Sequence, residues 1–446
     1  GAFCRRTEFS VPAFHARAPD GTLTSNIRAH LPSGAVVTTP RSDVMYIVTE
    51  WGAADLHNQP LETRICAMIR IAHPRFAARS RRRQSPGDNC HRSAPRNLIH
   101  NPNQRRRKPH EPAYEPLFTP FSIRNTRIKN RYFMAAMGTV THNDEDGAYL
   151  PDAVDYFVRR AAGGVGLIIT GANWVDNNIE VHSPGSFPCP TICPGKYIKS
   201  ARELIDRVHA FDTKIFVQLT AGLGRSAMPA MIHDRKFVAP STISNRWNPR
   251  IECRELTTEE VERLVEQFGV SAAIAKKCGY DGVEVHAVHE GYLLDCFAMS
   301  LFNKRTDKYG GDLNGRLRFA IEIVQKIKQY CGEDFPVILR FSLKSYIKDL
   351  RQGAVPGETF TELGRDTDEG LQAARILVDA GYDALDVDAG TYDSWYWAHP
   401  PMYFDKGVYL PFAEQVKQVV DVPVLAAGAW TIRIWRRRRC ETAAAT

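Results

Sequence analysis

The sequence predicts an α/β protein: a (β/α)8 barrel of the TIM type, truncated before its eighth strand and preceded by a small N-terminal α/β fragment. Three observations carry this. Between Glu115 and Gly428 a helical pattern, a glycine stop and a short apolar run recur in that order. The apolar runs are continuous, as in strands buried on both faces, and alternating helices and strands build parallel sheets. A span of roughly 320 residues with long loops after several strands favours a barrel over an open doubly wound sheet. The open sheet would also need a glycine fingerprint after its first strand, which Ala135 to Thr139 does not provide.

Each element follows from local pattern. Within residues 1–80, Gly34 to Glu50 reads as a turn followed by a short β-branched strand, and Leu61 to His73 has helical periodicity. Residues 81–112 are Arg-rich with almost no apolar content and read as a basic disordered linker. The barrel is expected over 113–429. Tyr132 to Ala136 is its first strand. A helix over Pro151–Ala162, stopped by Gly163 and Gly164, precedes a strand at Val165–Thr170. A helix over Lys199–Phe211 precedes a strand at Lys214–Leu219. Thr257 and Glu260 form a capping box, opening a helix that ends at Gly279 before a strand at Gly282–His286. Helices over Arg316–Tyr330, Leu371–Ala380 and Phe412–Val420 precede strands at Pro336–Arg340, Ala384–Asp388 and Pro423–Ala426. That makes seven strands. No further unit fits residues 430–446, an aberrant basic tail.

Composition narrows the function classes. Apolar residues make up 43% and charged residues 24%, ordinary values for a globular protein. No run of about 18 apolar residues occurs, so no membrane helix is expected, and the start lacks the apolar core of a signal peptide. The first residue is Gly1, as in an incomplete reading of a gene. The net charge of +8 gathers in two runs, Arg75–Lys108 and Arg433–Arg439, so solvated segments explain it better than a nucleic-acid surface. The ten cysteines are scattered, which points to reduced thiols in a cytoplasm. Cys189 and Cys193 are read as structural thiols, and no metal site is expected.

Barrel active sites lie at the C-terminal ends of the strands. Residues there include Met137, Gly138, Gly171, Ala172, Gln218, Arg340 and Asp388. Small residues let a flat ligand approach the backbone. Gln218 offers donor and acceptor to a heterocycle. Arg340 is a cation at the end of an apolar strand; it meets either an anionic or carbonyl-rich ligand, or a barrel carboxylate such as Glu284 or Asp388. His286, His289 and Tyr292 bring two imidazoles and a phenol within seven residues, a set suited to proton transfer and carbonyl binding.

The segment Asn303 to Phe319 resembles the signature loop of the Old Yellow Enzyme family of FMN-dependent reductases. Leu117–Phe121 with Ile128–Arg131, and Gln218 in its strand, match as well. Gly171–Asp176, Ser186–Thr191, Gln218–Gly222, His286–Tyr292 and Thr391–Pro401 are similar to the 2-enoate reductase branch. The resemblance covers about 113–428. It implies an FMN at the barrel mouth, held by backbone at Ala136, Met137 and Gly138, with Ala172, Gln218, Arg340 and Gly428. It further implies NADH as reductant and a small activated alkene as substrate. Tyr292 would protonate the α-carbon, His286 and His289 would orient the carbonyl, and His399 and Trp397 would lie nearby. An alternative within the family is a steroid or bile-acid enone reductase, with Trp395, Trp397 and Met402 lining its pocket.

Two departures stand out. The tyrosine lies six residues after His286, where many members have five, so counting from either end selects His289 or Glu290. The family's phosphate site uses a Gly-Arg on strand eight, whereas this chain diverges after Gly428. Losing two or three phosphate bonds at ~1.5–3 kcal/mol each would lower affinity by roughly two to six decades. The family's iron–sulfur and FAD sites are expected to be absent from this chain. About residues 34–76 resemble the end of acetyl-CoA hydrolase/acyl-CoA transferases, and a read-through across neighbouring genes would join the pieces. The rival to an enzyme is a truncated, non-catalytic product that holds no flavin; nucleic-acid binding through Arg81–Lys108 is a third reading.

Overall fold

In a computed structural model, the described residues are 112–138 and 143–428, with short pieces of the first 71 residues. The chain divides into two units near Asn101. The linker up to Glu111, the turn at 34–40 and the tail from 429 lie outside the described residues.

In the first unit, Ala13–Phe14 pairs parallel with Tyr46–Thr49, which pairs antiparallel with Gly52–Asp55. Ile47, Ala54, Leu56 and Ile71 form its core. The expected strand is thus realised at Tyr46–Thr49, and Thr63, Arg64, Ala67 and Met68 are helical as the periodicity requires.

The second unit is built on seven parallel strands: β1 (Phe133–Met137), β2 (Leu167–Trp174), β3 (Lys214–Thr220), β4 (Gly282–Val288), β5 (Val337–Ser342), β6 (Ala384–Asp388) and β7 (Val424–Leu425). Their order in the sheet is their order in the chain. Helices α1 (Pro151–Ala162), α2 (Pro194–His209) and α3 (Thr258–Cys278) cross between the first four strands. A short α4 (Leu293–Ala298) follows β4, then α5 (Leu313–Cys331), α6 (Thr367–Asp379) and α7 (Leu410–Lys417). Every expected strand and helix is present. The largest boundary differences are α2, which starts five residues early because Pro194 suits a first helical turn, β2, which runs on to Trp174, and α6, which starts at Thr367 behind the Asp366 cap.

Helix ends obey local chemistry. Thr257 and Glu260 make the reciprocal capping box of α3, and Gly279 closes it at φ +103°, a left-handed conformation that favours glycine. Side chains alternate across each strand. Val217, Leu219, Val283, Val285, Leu339, Phe341, Leu385 and Val387 face the helices and build the main core. Leu167, Ile169, Phe216, Ile338, Ala384 and Leu425 face inward as a second core. A hairpin of Phe121–Ile123 and Thr126–Ile128 adds Ile123 and Ile128 to that inner core, both fully buried. Among the described residues, β1 and β7 each pair on one side only.

Candidate active site

The inner face changes character along the strands. Beyond the apolar layer, the same alternation turns Gln218, Glu284, Arg340 and Asp386 inward, then Thr220, His286, Ser342 and Asp388. Arg340 donates through Nε to Asp388 at 2.8 Å and through Nη1 to Asp386. The expected partner Asp388 is therefore found, and Asp386 replaces Glu284 as the second. Gln218 Nε2 donates to Glu284 Oε1 at 2.8 Å. Among the described residues, Gln218 Oε1 and Arg340 Nη2 carry no hydrogen bond, and Glu284 Oε2 and Asp386 Oδ1 are buried without partners.

Three carboxyls around one guanidinium cannot all be ordinary. Burial pushes the Glu284 carboxyl up to about 8, with Asp386 adding to it. Burial also raises Asp386. Burial alone would raise Asp388, but Arg340, His289 and Ser342 outweigh it and hold Asp388 below its usual value. The same carboxylates keep Arg340 charged against the cost of burial.

Above this layer three rings converge. The His286 ring lies 4.9 Å from His289 and 4.4 Å from Tyr292, and His289 lies 5.3 Å from Tyr292, centroid to centroid. His286 Nδ1 meets Thr220 Oγ1 at 3.0 Å, and burial, His289 and Arg340 hold its imidazole neutral. His289 Nδ1 meets Asp388 Oδ2 at 3.2 Å, and its Nε2 is buried without a partner. The Tyr292 hydroxyl lies 2.7 Å from that of Tyr392. Burial raises its phenol well above the usual value, with Glu290 and Tyr392 contributing.

Between His289 and Tyr292 the backbone kinks: Glu290 adopts φ +55° and Gly291 φ +75°, both left-handed. The kink bridges Glu290 to Thr391, and Glu290 O accepts from Tyr392 N at 3.0 Å. His289 thereby keeps its side chain in the cluster. His289, Glu290 and Asp388 offer ligand atoms within 4.8 Å of one another, a closer carboxylate–histidine group than the sequence foretold. Arg340 already occupies Asp388, and a fixed cation there opposes a metal ion.

Other residues fall differently. His399 is exposed and lies against Trp395 at 4.2 Å and Tyr392 at 5.7 Å, one ring removed from Tyr292. Trp397 turns into the helix layer, stacking on Tyr346 at 3.8 Å with Nε1 donating to Ala354 O at 2.8 Å. Met402 is 86% exposed. Ala136 is half-buried, whereas Met137 and Gly138 are exposed at the end of β1. A Cβ at Gly171 would sit 2.3 Å from Gly138 Cα, so the ends of β1 and β2 meet backbone to backbone. Ala172 is buried at the end of β2. Gly428 ends the described chain packed under Tyr409. Sequence reading missed Asp386, whose signal was the alternation within Ala384–Asp388. It also missed Tyr392, whose position depends on the Glu290 bridge and has no local signal.

A seven-stranded parallel sheet of barrel type thus carries on its inner face, beneath paired imidazoles and a phenol, an acceptor and a donor that make no hydrogen bond among the described residues, the arrangement of an enzyme site. Residues 116–434 match the model of the NADH:flavin oxidoreductase / NADH oxidase family. The chain belongs to that family. It is 56% identical over 315 residues to cinnamate reductase of Clostridium sporogenes, covering 71% of this chain and 47% of that protein. It is 36% identical to NADH oxidase of Thermoanaerobacter brockii, covering 70% and 45%. It is 30% identical to NADPH dehydrogenase of Bacillus subtilis, covering 71% and 84%. The chain thus spans about half the length of the first two relatives. The barrel fold is shared with 2-naphthoyl-CoA reductase in complex with 2-naphthoyl-CoA (TM-score 0.63, 24% identity, 74% of this chain and 49% of that one). It is shared too with the old yellow enzyme homologue from Zymomonas mobilis (TM-score 0.57, 21% identity, 73% and 86%). Residues 1–81 match the acetyl-CoA hydrolase/transferase C-terminal domain, a longer span than the 34–76 read from sequence.

Proposed function

We propose that the barrel holds FMN and, with NADH as reductant, reduces the C=C bond of a 2-enoate of the cinnamate class. The observation that carries this is the convergence of His286, His289 and Tyr292 over the layer that holds Gln218 and Arg340. The residues fit a flavin. The free Gln218 Oε1 could accept a hydrogen bond from such a heterocycle, and the free Arg340 Nη2 could donate one to it. Gly138 and Gly171 meet backbone to backbone, so neither places a side chain at the ends of β1 and β2. The name of the Clostridium sporogenes relative supports the substrate class.

Bound FMN supplies hydride to the β-carbon of the alkene. The chain's own residues do the rest. Backbone at Ala136, Met137 and Gly138, with Ala172 and Gly428, would hold the cofactor. Arg340 would place a fixed positive charge beside the cofactor and so stabilise negative charge developing on it. His289, oriented by Asp388, directs Nε2 at the substrate carboxylate or carbonyl, and His286 orients the same group. Tyr292 gives its hydroxyl proton to the α-carbon. His399 borders the mouth.

The same reading assigns residues 1–80 to a transferase-like fragment, 81–112 to a linker, 113–429 to the barrel and 430–446 to a tail, in a cytoplasmic protein. Among the described residues, no helix is long and apolar enough to cross a membrane. The test is a visible spectrum of the purified chain after FMN incubation and gel filtration, followed by NADH consumption with cinnamate. A co-eluting flavin band and alkene reduction are expected. A colourless protein would make this a non-catalytic chain, and preference for a steroid enone would overturn the substrate class.

A further inference from the structure

We propose that Tyr392 is the proton-relay residue of this site, returning a proton from solvent to Tyr292 after each turnover. This rests on the reading of Tyr292 as proton donor and adds the step that reading leaves open.

A buried acid that gives up its proton must be reloaded. Tyr292 is only 9% exposed, so bulk water does not reach it freely. Its hydroxyl meets the Tyr392 hydroxyl at 2.7 Å, with the two rings edge-to-face at 5.3 Å. Tyr392 itself is half-buried and packs against Trp395 and His399, which are exposed. A short O–H···O contact from a sealed phenol to a half-buried phenol is the geometry of a one-step proton path.

The contact is fixed from three sides. Tyr392 N donates to Glu290 O at 3.0 Å, and Tyr392 O accepts from Arg246 Nε at 2.9 Å. The Trp247 ring packs edge-on at 5.5 Å. The next residue, Asp393, is fully buried, paired with Arg225 at 2.6 Å and accepting from Arg351 N at 2.9 Å. Glu290 thus ties the loop after β4 to the loop after β6. Burial, with Glu290, pushes the Tyr392 phenol up to about 12, so Tyr392 stands protonated and ready to donate at neutral pH.

The protons balance. As a C–H bond forms at the α-carbon, the Tyr292 O–H bond breaks; the electron pair for the new bond comes from the carbanion left by hydride addition at the β-carbon. The Tyr392 hydroxyl proton moves to the Tyr292 phenolate. Water protonates Tyr392. One solvent proton is consumed per alkene.

The experiment compares first and later turnovers of the full chain, loaded with FMN, with NADH and cinnamate in rapid mixing. Tyr292 enters the first turnover already protonated. In Tyr392→Phe the first turnover is therefore expected near the wild-type rate, with later turnovers at least ~10²-fold slower, at the low end of what general acid catalysis contributes. Flavin reduction by NADH and the KM for cinnamate stay near wild type. The double variant Tyr292→Phe/Tyr392→Phe is expected to be no slower than Tyr292→Phe alone, because residues acting in series are not additive. Equal slowing of all turnovers, or no slowing, overturns the relay while leaving the ene-reductase reading intact. A Tyr292→Phe variant as fast as wild type overturns the donor reading and the relay together.

Discussion

Glu290, at φ +55°, and Gly291, at φ +75°, turn the chain so that Tyr292 meets both His286 and His289. Removing the phenol's proton is then a clean test: Tyr292→Phe is expected to slow alkene reduction by ~10²–10⁴-fold, with flavin reduction by NADH intact, measured by separate half-reactions in stopped flow. Glu180 supports a second residue-scale prediction. Its buried carboxylate accepts from Leu223 N at 2.7 Å and Gly224 N at 2.8 Å, yet burial still lifts it from the ordinary 4.5 to about 7. Between those values the folded protein retains a proton that the unfolded chain has released. Its contribution to stability is therefore full below 4.5 and is lost as pH rises through about 7. Glu180→Gln should gain stability relative to wild type from pH 5 to pH 8, read as the difference in urea midpoints; a constant difference would refute it.

At the scale of elements, the loops over the barrel mouth are tied by a fully buried ion pair, Arg225 after β3 with Asp393 after β6. Removing one partner leaves the other charged and dry. Asp393→Ala should cost ~3–5 kcal/mol in denaturant unfolding, since breaking a buried pair strands a charge. The caps are weaker: Thr257→Ala should cost ~1 kcal/mol. These elements differ in how readable they were. The capping box, the glycine stops and the seven apolar runs are set by local chemistry, so the sequence showed the barrel's strands, their order and the polar residues at their ends. Gln218, Arg340, His286, His289 and Tyr292 all stand on strand β3, β4 or β5 or directly after β4, which is why reading them needed only the strand register. Trp397 and Tyr392 sit on the loop after β6. There the aromatic pattern is dense, but which ring faces the site depends on Tyr346 taking Trp397 and on Glu290 taking Tyr392. Such long-range choices leave no periodicity to read. Asp386 was readable in principle, because it alternates with Leu385 and Val387, but a short apolar run hides its own polar member.

At the scale of the whole chain, two family matches meet without overlapping, residues 1–81 and 116–434. Each has its own core: Ile47, Ala54, Leu56 and Ile71 in the first unit, and the barrel's inner and outer layers in the second. A unit with its own core folds on its own account. The small core of the first unit is a few side chains, whereas the barrel buries the inward and outward faces of seven strands. The stability of the second unit is therefore expected to be its own. A chain starting at Pro112 should keep the wild-type urea midpoint of the barrel transition and the wild-type affinity for FMN. Intrinsic tryptophan fluorescence follows the unfolding and flavin fluorescence quenching follows the binding. A lower midpoint with unchanged affinity would mean that residues 1–111 contribute packing to the barrel. A lower affinity with unchanged midpoint would mean that they reach the cofactor site. Either result would overturn the division of this chain into independent units.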